Sequence, residues 1–331
     1  MPDHFALRRV GRLAAVAIGL ALGAAAAPEA QPARIETVEL HSPAAGRPMK
    51  YEVVLPSGYH DPANAERRYP TLYLLHGEGR SFLAWREILD AAAVAGEREM
   101  ILVMPDAGES YYVNWSRTDD GRRDAWEDYL VDDVVGHVDA RYRTVAARAG
   151  RAVAGFGMGG YGALTVGLRH ADRFVSVGSQ SGRIDYARLA AERLRLGGEA
   201  DPPRGFTPEA EARRRADDPR IGLAGFSSIV DRTPRGQPFV TAAEAEAHDP
   251  FLLVMRVRRS NLPFIQLDSG TAGPYLVTNQ AFAGMLIDAD IPFHFTQRRG
   301  RHDIDYWREA YRYALDVHYE TMRRALERRE P

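Results

Sequence analysis

The stretch from Gly150 to Leu164 constrains this chain more than any other. It reads Gly150-Arg151-Ala152-Val153-Ala154-Gly155-Phe156-Gly157-Met158-Gly159-Gly160-Tyr161-Gly162-Ala163-Leu164. The apolar run Ala152 to Ala154 has the character of a buried strand, and the residues from Met158 onward have that of a helix. A glycine-rich turn joins them. A strand turning this sharply into a helix is the setting of the nucleophile elbow, G-x-S-x-G, whose apex presents a serine hydroxyl. Gly155 and Gly159 fill the two outer glycine positions, but the central position is Gly157. The chain keeps the backbone signature and lacks the attacking oxygen.

Strand-like and helix-like segments alternate on both sides of this turn. Strands are expected near 35–40, 49–55, 71–75, 100–104, 151–155, 174–178, 263–268 and 292–297. Helices are expected near 81–95, 124–140, 158–169, 184–195, 275–288 and 304–328. Such alternation predicts an α/β fold, a mostly parallel central sheet with helices on both faces. Residues 196 to 245 break the pattern with Gly197-Gly198, Pro202-Pro203 and further prolines among many charges. They read as an insertion in a single domain spanning 31–331, either shaping a pocket or forming a plain surface loop. A chain of 331 residues with 45% hydrophobic content is long and apolar enough for one such domain with a large core.

Several further stretches carry a family resemblance. Tyr73-Leu-Leu-His76-Gly77, Val103-Met-Pro105-Asp106, Trp126-Glu-Asp-Tyr-Leu130 and Arg141-Tyr-Arg-Thr144 precede or follow strand signals in a fixed order. Phe174 to Gly182, Leu267-Asp-Ser-Gly270-Thr271 and Gly300-Arg-His302-Asp303 with Tyr306-Trp307 complete the set. In this order and spacing the chain resembles the esterases of α/β-hydrolase fold that include S-formylglutathione hydrolases, feruloyl esterases and antigen 85-type mycolyltransferases. The resemblance covers roughly residues 45 to 325. It implies a Ser–acid–His triad with His302 as the base. It also implies an acid three residues after Gly270, where this chain has Gly273. Glycine thus stands at both the nucleophile and the acid positions.

Ester chemistry on such a scaffold needs an attacking oxygen, an imidazole to move its proton, a carboxylate to hold the imidazole and backbone N–H groups for the oxyanion. The resemblance places the oxyanion donors at the N–H groups of Met158 and Glu78. A carboxylate at Glu78 would oppose a developing negative charge unless it faces solvent. Asp303, Asp268 and Asp288 are the carboxylates considered as replacements for the acid. Asp303 is expected to point away from His302, and Asp268 to brace a strand end. Ser181, in Gly178-Ser-Gln-Ser-Gly182, matches a structural turn better than a relocated nucleophile. Tyr111, Tyr112, Trp115 and Tyr161 are candidate aromatic walls for a sugar or aryl ligand, or plain packing.

Composition narrows the remaining classes. There is no cysteine, so disulfides and thiolate chemistry are excluded. His76, His294 and His302 lack metal-ligand spacing, no H-E-x-x-H occurs, and no cofactor is expected. A net charge of −2 gives no sign of nucleic-acid binding. Arg8, Arg9 and Arg12 precede an apolar run, Leu13 to Ala27, and then small residues. Residues 1–30 therefore read as a cleaved signal peptide and leader, with a secreted or periplasmic destination and no lasting membrane span. These observations predict an exported, non-catalytic member of the esterase group that binds a carbohydrate, acyl-sugar or protein ligand. The alternative is an active hydrolase or acyltransferase with a nucleophile outside the usual position.

Overall fold

The structure, a computed structural model, describes residues 34–88, 98–118, 124–198, 200 and 236–328. The signal-peptide reading of 1–30 and residues 201–235 of the insertion lie outside the described residues. At the centre is an eight-stranded sheet of β1 (Arg34–Ser42), β2 (Arg47–Leu55), β3 (Thr71–Leu75), β4 (Ile101–Pro105), β6 (Arg151–Phe156), β7 (Ser176–Gln180), β9 (Phe264–Gly270) and β10 (Phe293–Arg298). A short antiparallel pair, β5 (Arg117–Thr118) and β8 (Gly236–Gln237), lies apart from it. The main order is β1-β2-β4-β3-β6-β7-β9-β10. Pairing is antiparallel at β1/β2 and β2/β4 and parallel from β4 onward. The mostly parallel sheet is the one that the alternation predicted, and its α/β-hydrolase type is what the resemblance implied.

Strand side chains sort to the two faces with a period of two. On β3, Tyr73 and Leu75 enter one core with Val153, Val177 and Leu267, while Leu72 and Leu74 enter the other with Ala152, Ala154 and Phe156. The first core is closed by helices Val135–Arg141, Met158–Arg169 and Leu276–Asp288, the second by Ala84–Ile88 and Ile304–Glu327. β3 and β6 are buried along their whole length, which is why they are apolar without alternation after Thr71 and Arg151.

One expectation needs correction, and one helix is added. The helix expected over 124–140 is interrupted: α-helical Trp126–Asp128 and Val135–Arg141 flank a π-helical segment, Tyr129–Val134. Helix Pro250–Arg256 was not anticipated, although Asp249 caps it by accepting from the Phe251 N–H and Pro250 opens it. Short helices of this kind lack enough turns to show a period.

Candidate active site

The candidate residues converge at the carboxyl ends of the parallel strands, where open α/β sheets bind ligands. Gly157 follows β6 and Gly77 follows β3. Gly273 and His302 lie in the loops after β9 and β10. Gly157 has φ +55° and ψ −117°, a conformation that strains any residue with a Cβ. Its carbonyl accepts from the N–H groups of Tyr161 at 3.2 Å and Arg183 at 3.1 Å, and its own N–H donates to the Gln180 carbonyl at 3.2 Å. The turn is thus fixed by backbone bonds and needs no side chain to hold it.

The flanking glycines have a different cause. A Cβ on Gly155 or Gly159 would run into backbone, the carbonyl of Gly159 for the first and that of Leu75 for the second. A Cβ on Gly157 would meet only His302, with Nε2 at 3.3 Å and Cε1 at 3.4 Å, and Gly77 Cα at 4.0 Å. The imidazole therefore stands where a base would stand beside an apex hydroxyl. Its ring packs edge-on against Tyr275 at 5.0 Å and Trp307 at 4.8 Å. A Cβ on Gly273 would lie 3.9 Å from the His302 backbone nitrogen and 3.2 Å from the Gly270 carbonyl. Gly157, Gly273 and His302 are thus neighbours.

The other carboxylates are engaged elsewhere. Asp303 caps helix Ile304–Glu327 by accepting from the Tyr306 N–H at 3.0 Å. Asp288 is exposed at the far end of the helix that begins at Leu276, about 18 Å along its axis from the His302 side. Asp268 accepts from the Tyr306 hydroxyl and has Arg298 Nε 3.5 Å away. Burial pushes its carboxyl up to about 6, against the pull of Tyr306 and Arg298. Ser181 is buried at φ +45°, and its Oγ accepts from the Gly270 N–H at 3.4 Å. The Ser176 Oγ lies 2.8 Å from His318 Nδ1, but both groups are fully buried at the opposite ends of the strands. Burial pushes His318 down to about 3, so the ring stays neutral and the pair is structural.

The loops around the apex are braced. His76 Nε2 accepts from the Ala107 N–H at 3.0 Å, which puts the proton on Nδ1, 3.0 Å from the Gly77 carbonyl. His76 is therefore a strut. Glu109, which no sequence spacing singled out, accepts from the Gly79 N–H and fixes the same loop. The side chain of Glu78 is partly buried, with Oε1 3.9 Å from Arg183, so a cation offsets its charge. Arg183 donates to the Tyr111 hydroxyl at 2.6 Å and was likewise not foreseen.

Of the two readings open for the four aromatics, packing is the one their burial favours. Tyr111, Tyr112 and Tyr161 are fully buried. Tyr111 stacks on Tyr186 at 3.6 Å, and Tyr112 donates to the His76 carbonyl at 3.1 Å. The half-buried Trp115 donates its indole N–H to the Ser110 carbonyl at 3.1 Å. Tyr111 and Tyr112 both have positive φ, +54° and +57°. Non-glycine residues hold such angles only where their surroundings over-determine them. A cleft of about 830 Å³ lies elsewhere, at the amino ends of the strands, lined by Val175, Phe264, Pro292, Arg148 and Arg324 among others. Among the described residues no cluster of His, Asp and Glu is arranged to hold a metal ion, and no helix is long and apolar enough to cross a membrane.

Comparison with known proteins agrees with this fold. An esterase of Mycobacterium tuberculosis is 35% identical over 159 residues, covering 44% of this chain and 34% of that protein. The diacylglycerol acyltransferase/mycolyltransferase Ag85A of Mycobacterium leprae is 28% identical over 158 residues, covering 46% and 44%. This chain thus spans less than half the length of those relatives. Among solved structures, a ferulic acid esterase superposes with a TM-score of 0.63 at 24% identity, covering 88% of this chain and 99% of that one. An S-formylglutathione hydrolase from Agrobacterium tumefaciens superposes with a TM-score of 0.64 at 15% identity, covering 88% and 96%. Residues 42–313 match the Esterase family profile, described as "Putative esterase", and the chain belongs to that family.

Proposed function

We propose that this protein is a non-catalytic member of the esterase family that binds its ligand at the elbow and does not cleave it. One observation carries the reading: at the apex a base stands 3.3 Å from the place of a Cβ that Gly157 does not have. Oxyanion donors are backbone groups and survive the loss of a side chain, so a carbonyl-bearing ligand still finds partners. The ligand class is an acylated sugar, a carbohydrate or a protein segment, in keeping with the feruloyl esterase and mycolyltransferase names among the relatives. Export follows from the N-terminal pattern and is checked by the mass of the protein recovered from outside the cytoplasm.

The test is restoration. Gly157→Ser with Gly273→Asp is assayed on p-nitrophenyl and aryl esters beside the parent. Turnover gained only in the double variant supports a dormant site. Parent turnover at enzyme-like rates, about 1–10³ s⁻¹, that is lost in His302→Ala overturns the non-catalytic reading.

A second reading is favoured by the position of His302 itself. An imidazole facing the apex can activate water directly, giving slow hydrolysis without a covalent intermediate. Residual catalysis of ~10³–10⁴-fold over water occurs in serine hydrolases stripped of their triads, so only a His302-dependent rate above that level supports it.

A further inference from the structure

The two edges of the main sheet are built differently. β1, at one edge, carries Arg34, Glu36 and Glu39. Charges of this kind keep an open strand from pairing with another chain. β10, at the other edge, reads Phe293-His294-Phe295-Thr296-Gln297-Arg298. It holds no proline, lysine or acid, and it pairs with β9 residue by residue without a bulge. Its one permanent charge, Arg298, ends the strand. Among the described residues no strand pairs with its outer side.

Helix Leu276–Asp288 lies over the same edge, where Gln280 donates to Gln297 at 2.9 Å. Phe293 and Phe295 pack on the helix side, against the core that holds Phe282 and Leu286. No residue of the helix before Asp288 is charged, and from Ala281 to Ile287 it is apolar on every side. Its buried side is Asn279, Phe282, Ala283 and Leu286, yet Val277 is 75% exposed and Ile287 68%. Ala281 is exposed between them, and a Cβ on Gly284 would meet nothing within 4 Å. A helix apolar all round is ordinarily covered all round. Strand and helix each run about 20 Å along this edge. A cover must therefore supply a strand for the open backbone and an apolar surface for the helix.

Charge at the two ends of the edge identifies that cover. Asp288 and Asp290, both exposed, sit where the chain enters β10, and Arg299 and Arg301, both exposed, sit where it leaves. Arg259 also reaches the acidic end, held by the carbonyls of Ala289 and Asp290. An antiparallel copy of the same edge brings acids against arginines at both ends, whereas a parallel copy sets like charges together. A two-fold axis normal to the sheet reverses the strand and keeps its faces. It also turns Val277 of one helix toward Ile287 of the other, with Ala281 and Gly284 between, as a self-complementary patch requires. Opposed residues of an antiparallel pair share a face, so the axis passes through a residue, Phe295 or Thr296, and not between two.

We propose that this protein forms a two-fold dimer through β10 and helix Leu276–Asp288, joining two sheets edge to edge. The partner is a second copy of this chain. The loop that carries His302 leaves the sheet at Arg298, so the joint lies beside that loop and three strands away from the apex that follows β6.

Analytical ultracentrifugation of the whole protein at micromolar concentration tests the joint. The parent is expected to sediment as a dimer, and Val277→Asp with Ile287→Asp as a monomer. Arg299→Glu with Arg301→Glu is expected to raise the dimer Kd about tenfold, by setting like charges at both ends. Adding Asp288→Arg and Asp290→Asn to that chain restores it; asparagine is used because position 290 has φ +52°. A monomeric parent overturns the proposal, as does a dimer that survives the Val277 and Ile287 changes and so uses another face. A Kd unmoved by the two glutamates, or not restored by the compensating pair, overturns it too. Should the Val277 and Ile287 variant fail to fold, the charge series decides by itself.

Discussion

The two ends of helix Met158–Arg169 have gone opposite ways. At its amino end Gly157 presents a hydrogen to His302, and the turn holds itself by backbone bonds. At its carboxyl end Arg169 and His170 crowd onto Glu127 with His248. One end presents no side chain to the histidine beside it. The other has gathered charges whose removal would leave buried groups unpaired. The architecture of an elbow and its chemistry are therefore separable, because glycine suits the apex backbone at least as well as serine does.

The largest effect that would sharpen this contrast is catalytic. Gly157→Ser with Gly273→Asp is expected to raise ester turnover by about 10³-fold over the parent, roughly 4 kcal/mol of barrier. Steady-state kinetics checks it, and equal activity in both proteins breaks the reading of the amino end as a dormant site.

Next is Glu127→Gln. Neutralising a buried carboxylate that faces Arg169 and two histidines is expected to cost about 3–5 kcal/mol in urea denaturation at pH 6. A cost below about 1 kcal/mol would make that end no more than a surface ion pair.

Asp268 supplies a pH signature of its own. Its folded carboxyl holds a proton to about pH 6 against an ordinary 3.8. The folded state thus binds more protons between those values, and stability from this group falls as pH rises through the window. The loss is roughly 3 kcal/mol and complete above pH 6. Asp268→Asn keeps an acceptor for Tyr306 and should remove this fall, read as the parent-minus-variant difference in unfolding free energy at pH 4.5 and pH 7.

The smallest effect tests the glycines. Gly157→Ala should cost only about 1–2 kcal/mol, the price of a left-handed backbone angle. Gly159→Ala should cost more, because its Cβ meets the Leu75 carbonyl and backbone cannot yield as a side chain can. Thermal melts that rank them the other way would mean the apex glycine serves packing.

Much of the scaffold was legible along the chain. Thr71–Leu75 and Met158–Arg169 fall where apolar runs and periods put them. The π-helical Tyr129–Val134 was not legible, since a change in hydrogen-bond step leaves no mark on composition. Nor were Glu109 and Arg183, which act on Gly79 and Tyr111 from distant loops. The tyrosines were ambiguous because an aromatic ring suits a cleft wall and a core equally.

By itself the sequence determined the layered α/β architecture, through local period and turn chemistry, and the absence of an oxygen at the apex, through the identity of one residue. Only the tertiary structure decided that His302 stands 3.3 Å from the place of an apex Cβ, that Asp303 caps helix Ile304–Glu327, and that Glu127 meets His248. Those facts depend on the order of strands in the sheet, which brings loops far apart in sequence to one edge. No local pattern records that order.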